Sequence, residues 1–181
     1  ENKNNTVTFL GALAKDKGVE DAIDTFGLLS KNKNLSFWII GKGGAMYVAR
    51  LKKKCKSLGI EKRVKFWGFV SQQEKFNLLS KTQILINPSL KEGWGLVNIE
   101  ANAMGTPVVA YKSDGLIDSV KNNVSGILVE ENKPIFLAKE VFLLLENKKR
   151  LVKLSLDSIK WSKKFEWSKS RKLSLNLIEN L

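Results

Sequence analysis

The chain has 181 residues, enough for one ordinary domain with a single sizeable core. Its 43% hydrophobic and 27% charged residues are those of a folded globular protein and exclude wholesale disorder. It carries no histidine and a single cysteine, Cys55, so this chain alone cannot build a disulfide, a Ser-His-Asp triad, a Cys-His pair or a His-ligated zinc site.

Taken in chain order, the hydrophobic pattern alternates between strand-like and helix-like stretches. TVTFLG (6–11) is a short β-rich run ending in Gly, followed by VEDAIDTFGLLSK (19–31) with apolar residues at helical spacing. LSFWIIG (35–41) predicts a second strand, followed by the basic amphipathic helix YVARLKKKCKSLG. RVKFWG (63–68) and QQEKFNLLSK predict a third strand and helix, and QILINPS (83–89) and LVNIEANAM (96–104) a fourth pair. TPVVAY (106–111) and SGILVE (125–130) are two more strands around a short helix, and after Pro134 the pattern is helical only. Strands alternating with helices of this length predict a Rossmann-like α/β fold: a doubly wound parallel sheet of about six strands with a helical C-terminus. One domain over 1–181 is expected, since no repeat, low-complexity tract or long linker interrupts the pattern.

The net charge of +13 is unevenly spread. Residues 48–65 hold eight Lys/Arg against one Glu, and residues 133–172 hold twelve against four acids, both segments reading as helical. Only four of the 31 basic residues are Arg, and the first segment has no interleaved aromatics. Base-edge readout leans on Arg forks and single-strand binding on aromatic stacking, so nucleic acid is not an expected partner. A solvated lysine face and a peripheral contact with an anionic membrane both remain open. The polar start ENKNN shows no signal core, and no apolar run approaches the roughly 20 residues of a membrane span. The expected location is the cytoplasm, with the inner face of the membrane as a variant.

In a doubly wound sheet, ligands sit beyond the carboxyl ends of the strands. The segments there are GALAKDKG (11–18), GKGG (41–44), GFVSQQ (68–73), NPSLKEGWG (87–95) and YKSDG (111–115). Gly often ends a strand for purely local reasons, but its recurrence along one edge predicts close backbone approach to a ligand. In NPSLKEGWGLVNIEANAMGTPVVA (87–110), Glu92 falls in the loop and a helix starts near Leu96. The free N–H groups at that helix start form a ready phosphate site, and Glu100, about a turn inside, faces the same cleft with a carboxylate suited to a vicinal diol.

This stretch resembles the signature of the retaining nucleotide-sugar glycosyltransferases of family 4 (group 1). The resemblance is carried by Pro88, Ser89, Glu92, Gly93, Gly95, Leu96, Glu100, Ala101, Gly105, Pro107, Val108, Val109 and Ala110. FLGALAKDKGVEDAI, FWIIGKGG, RVKFWGFVSQQE, GLIDSVKNNVSGILVE and KKFEWSKSRKLSLNLI resemble further family segments in the same order, so nearly the whole chain is covered. In that family such a domain is the C-terminal, donor-binding half of a two-domain GT-B enzyme. The resemblance therefore implies an N-terminal acceptor domain ahead of residue 1, and an acceptor that is a glycan, a lipid-linked sugar or a small molecule.

The resemblance implies catalytic roles for Lys17, on the donor diphosphate, and Glu92, on the sugar hydroxyls. It implies donor binding by Gly11, Gly41, Gly43, Phe69, Val70, Gly93, Trp94, Gly95, Leu96, Val97 and Glu100, the last on the ribose and Phe69–Val70 beside the base. Neither metal nor cofactor is implied, since Lys/Arg and helix dipoles meet the diphosphate in this family. Three positions depart from the family pattern: Ala12 replaces an Arg, Trp94 a Phe and Asp118 a Glu. The loss of a phosphate cation at Ala12 keeps a second reading in play, a nucleotide-sugar-binding or regulatory module without catalysis. A dinucleotide-binding dehydrogenase is disfavoured because GALAKDKG lacks Gly-x-Gly-x-x-Gly.

Overall fold

The structure, a computed structural model, describes residues 3–29 and 34–165. Six strands form one sheet: β1 (Thr6–Leu10), β2 (Ser36–Ile40), β3 (Val64–Gly68), β4 (Ile84–Asn87), β5 (Val108–Ala110) and β6 (Gly126–Leu128). The helices are α1 (Val19–Leu28), α2 (Ala45–Ser57), α3 (Gln72–Lys81), α4 (Leu96–Ala103), α5 (Leu116–Ser119), α6 (Pro134–Glu146) and α7 (Lys148–Ser162). All strand pairs are parallel, in the order β3-β2-β1-β4-β5-β6. The predicted Rossmann-like α/β class holds.

The strands are nearly continuous apolar runs because both faces of the sheet are covered. Val7 and Phe9 of β1, Phe37 and Ile39 of β2, and Ile84 and Ile86 of β4 join the larger core with Ile23 and Phe26 of α1 and Val141 of α6. The alternate residues Leu85, Val108 and Ala110 join a second core with Leu79 of α3 and Ala101 of α4. Phe26 stacks on Phe37 with ring centroids 5.1 Å apart, tying α1 to β2.

Two stretches differ from the sequence reading. The basic segment 48–65 is helical only as far as Ser57: Gly59 takes φ +66° and ends the helix, so Lys62 and Arg63 lie on a 3₁₀ turn and Lys65 on β3. The C-terminal helix is two helices, because Asn147 leaves the helical region and its side chain accepts the Arg150 N–H at 3.0 Å, capping α7. The expected closing helix in KKFEWSKSRKLSLNLI lies outside the described residues beyond Phe165.

The topology itself locates the site. The strand order reverses between β1 and β4, and in sheets of this kind a ligand crevice is expected at such a switch point. The segments leaving these two strands contain Lys17 and Glu92.

Candidate functional site

The loop after β1 is built to reach across this crevice. Leu13 N–H donates to the Lys42 carbonyl at 2.9 Å, and Gly11 N–H to the Ile40 carbonyl at 3.0 Å, tying the loop to its neighbour after β2. A single 3₁₀ turn at Lys15–Lys17 then hands over to α1 through Gly18, which sits in the left-handed region at φ +70°. Gly18 presses on the loop after β4: a β-carbon there would lie 2.1 Å from the Pro88 carbonyl oxygen. The contact is sealed by Leu90 N–H donating to the Asp16 carbonyl at 3.0 Å and Ser89 Oγ to the same carbonyl at 3.3 Å.

At this junction Lys17 Nζ lies 3.0 Å from Glu92 Oε1 and donates to the Lys91 carbonyl at 3.1 Å. An ammonium has three N–H donors. Two are engaged here, which leaves one to point at a ligand. Both side chains are largely but not wholly shielded, at 27% and 20% exposure.

Residues 88–95 are held from the other side as well. Ser113 Oγ donates to the Ser89 carbonyl at 2.7 Å, and the backbone of Gly115 abuts the Glu92 and Gly93 carbonyls. Beneath the loop runs a fully buried polar chain: Asn87 Nδ2 donates to Asn98 Oδ1 at 2.8 Å, and Asn98 Nδ2 to Ser119 Oγ at 2.9 Å. Buried amides are tolerated only when paired in this way, so the chain fixes the end of β4, α4 and α5 relative to one another. Gly95 starts α4 from φ +80° with no side-chain cap; Asn98 N–H donates to the Gly95 carbonyl at 2.9 Å, and the Leu96 and Val97 amides precede it at the helix start. Gly93 has open space around it, and Leu96 is well exposed.

Trp94 packs against the C-terminal end of the described chain. Its ring meets Phe165 edge-on at 4.8 Å, and Phe165 in turn meets Trp161 of α7. Glu100 lies a turn further along α4, and its Oε1 is 2.5 Å from Lys75 Nζ of α3.

The remaining candidates line the same sheet edge. Gly41 N–H donates to the Gly68 carbonyl at 2.8 Å, bringing the loops after β2 and β3 together, and Gly43 packs on Leu13. Phe69 is 77% exposed with Lys42 Nζ 5.7 Å from its ring centre, and Val70 is half-buried beside Ser71, the N-cap of α3. Among the departures, Ala12 and Asp118 are both exposed. Among the described residues, no three of His, Cys, Asp and Glu converge on a metal-sized site.

Sequence reasoning missed Lys75, Asn87, Asn98, Ser113 and Ser119. One signal was available: Asn98 shares a helix face with Ala101 and Asn102, so a polar residue sits where the period of α4 demands burial. The partners of Asn98 and Glu100 come from segments 11 to 25 residues away and carry no such mark.

Comparison with known proteins identifies the family and the fold. An uncharacterized glycosyltransferase of Methanocaldococcus jannaschii is 30% identical over 89% of the chain and 44% of its own length. A D-inositol 3-phosphate glycosyltransferase of Corynebacterium efficiens is 29% identical over 90% of the chain and 39% of its own length. The chain thus spans less than half the length of these relatives. Among solved structures, Anabaena HepE in complex with UDP superposes with a TM-score of 0.89 at 24% identity, over 99% of this chain and 50% of that one. The C-terminal domain of the Francisella tularensis group 1 glycosyltransferase LpcC gives 0.80 at 22% identity, over 91% and 87%. Residues 1–161 match the family described as glycosyl transferases group 1, and with so much of its length inside that match the chain belongs to this family.

Proposed function

We propose that this chain is the donor-binding half of a retaining, metal-independent glycosyltransferase. It takes a nucleoside diphosphate sugar, and the N-terminal half of a two-domain enzyme holds the acceptor, so the chain alone is inactive. The observation that carries this reading is the Lys17–Glu92 pair, set at the switch point of the sheet beside the uncapped start of α4. Lys17 and the α4 amides meet the diphosphate, whose charge grows as the sugar leaves, so these cations and dipoles stabilise the transition state more than the ground state. Glu92 and the Gly93 backbone accept and donate to the sugar hydroxyls. Glu100 takes the ribose diol, and Gly11, Gly41, Gly43, Phe69 and Val70 form the wall beside the base. Related folds have been crystallised with UDP and UDP-glucose, which makes UDP the first ligand to titrate.

Calorimetric titration with UDP, GDP and ADP tests the reading. One nucleotide is expected to bind selectively, and Glu100→Ala to weaken it roughly 10- to 150-fold, the equivalent of about 1.5–3 kcal/mol for a charged hydrogen bond. Equal binding by both proteins would remove Glu100 from the site. A second reading, binding without catalysis, is favoured by Ala12, an exposed residue where the family pattern has a cation. Tight donor binding without turnover in the full-length protein would support it.

The acceptor side has one physical lead. Along α7 an open surface patch gathers Lys148, Lys149, Lys153 and Lys160 around Val152, Leu156 and Asp157, which pairs with Lys153 at 3.2 Å and Lys160 at 3.3 Å. Both apolar residues are more than half exposed. No helix among the described residues is long and apolar enough to cross a membrane. A lysine face with apolar residues between the charges suits contact with anionic lipid, each lysine contributing about 1 kcal/mol near such a surface. We therefore propose a peripheral contact of this chain with an anionic membrane, an arrangement that would suit a lipid-linked acceptor. Full-length protein is expected to co-sediment with phosphatidylglycerol-containing vesicles but not with phosphatidylcholine alone. Reversing Lys149, Lys153 and Lys160 to Glu should cost at least roughly 30-fold in binding. Unchanged sedimentation would reject the contact.

A further inference from the structure

The two carboxylates of the site share a feature. Each is paired with a lysine from a different segment of the chain, Glu92 with Lys17 and Glu100 with Lys75. A cleft that receives a dianionic or trianionic ligand would otherwise present two negative charges to it. The Lys17 pair belongs to the diphosphate end already described. The Lys75 pair joins α3 to α4, and the proposed reaction calls for no cation at Glu100.

Lys75 is well placed to act on Glu100. It sits in the first turn of α3, a helix fixed at its start by Ser71 Oγ accepting the Glu74 N–H at 3.2 Å. Ser71 follows directly on Phe69–Val70, so the same short segment sets the base wall and the lysine. Lys75 is only 19% exposed and its Nζ also lies 5.0 Å from the Phe76 ring centre, whereas Glu100 is 27% exposed. The ammonium holds Oε1 of Glu100, so on the reading above Oε2 is the oxygen left for the ribose.

We propose that Lys75 is the positioning residue for ribose recognition: it locks the Glu100 carboxylate in the rotamer that accepts from the ribose hydroxyls, and so sets the preference for ribonucleotide over deoxyribonucleotide donors. This rests on the reading above that Glu100 meets the ribose. A free glutamate has several side-chain torsions to order when ligand arrives. Anchoring one oxygen beforehand removes that cost from binding, a gain of about 3- to 10-fold. The anchor also cancels the charge of a carboxylate close to an anionic ligand, but that effect is felt equally by ribo- and deoxyribonucleotides. The ratio of the two affinities therefore isolates positioning from charge.

The test measures, in the full-length protein, the affinity for the best-binding diphosphate among UDP, GDP and ADP and for its 2′-deoxy counterpart. Wild type, Lys75→Met, Lys75→Arg and Glu100→Gln are compared, with thermal melting as the control for folding. Wild type is expected to prefer the ribonucleotide at least roughly 10-fold, a preference of the size of one charged hydrogen bond. Lys75→Met should cut that preference about 3- to 10-fold, Lys75→Arg should restore most of it, and Glu100→Gln should abolish it. If Glu100→Gln keeps the preference, Glu100 is not the ribose ligand and the underlying reading fails. If Glu100→Gln abolishes it while Lys75→Met keeps it, or weakens both nucleotides by the same factor, the positioning role of Lys75 is overturned.

Discussion

Lys17→Met in the full-length enzyme is expected to lower kcat/KM for sugar transfer by about 10²- to 10³-fold, the usual cost of removing one preorganised stabiliser of developing negative charge. Most of the loss should appear in kcat, with a smaller change in the affinity for free nucleoside diphosphate. The reason lies in the geometry. Lys17 is not drawn to the ligand from solution: it is already fixed by the Lys91 carbonyl and Glu92, with one N–H left to donate. In the proposed role its electrostatic contribution would need no reorganisation and would grow as the diphosphate takes up charge. Lys17→Arg should recover part of the rate, since it keeps the charge but cannot reproduce two short bonds to Lys91 and Glu92 from a planar head. Steady-state kinetics with saturating acceptor distinguish the cases. Activity within threefold of wild type in Lys17→Met would take Lys17 out of the reaction.

Gly18→Ala is expected to destabilise the fold by about 2–4 kcal/mol, which for a chain of this size lowers Tm by roughly 5–15 °C. Two costs add. The residue holds φ +70°, where a side chain costs roughly 1–2 kcal/mol, and the new β-carbon would lie 2.1 Å from the Pro88 carbonyl. That carbonyl is backbone in a segment clamped on both sides, so relief requires the two loops to part. Gly59→Ala is the matched control: φ is +66° but nothing lies within 4 Å, so only the conformational cost of roughly 1–2 kcal/mol should appear. Differential scanning calorimetry on the two variants separates strain from collision. Because Gly18 follows Lys17 directly, whatever stability survives should come with weakened donor binding. A Gly18→Ala protein that melts with Gly59→Ala would show that the loops do not meet at this point.

Much of the architecture was legible because parallel α/β sheets write their burial into the chain. LSFWIIG and QILIN are continuous apolar runs flanked by amphipathic stretches, and each became a strand where the pattern put it. Boundaries that depend on one residue were less visible. The end of α2 at Gly59 and the break between α6 and α7 at Asn147 turn on a single backbone conformation, inside segments whose charge and periodicity run on unbroken. The departures at Ala12 and Asp118 were visible as residue types, and the structure adds only that both are exposed.

The same division applies to the site. Local sequence determined which residue types stand at the carboxyl ends of the strands: the glycines, Lys17, the two glutamates eight apart and the uncapped start of α4, all within short strings whose order along the chain carries the family likeness. Tertiary structure alone decided which of them meet. Lys17 and Glu92 are neighbours because β1 and β4 are, although 75 residues separate them. Glu100 has an anchor because α3 packs beside α4, and the end of β4 is tied to α4 and α5 because Asn98 finds Asn87 and Ser119 in the interior. A side chain advertises its chemistry by type and its burial by period. Its partner across the fold is chosen by sheet order and helix packing, and no local pattern records that choice.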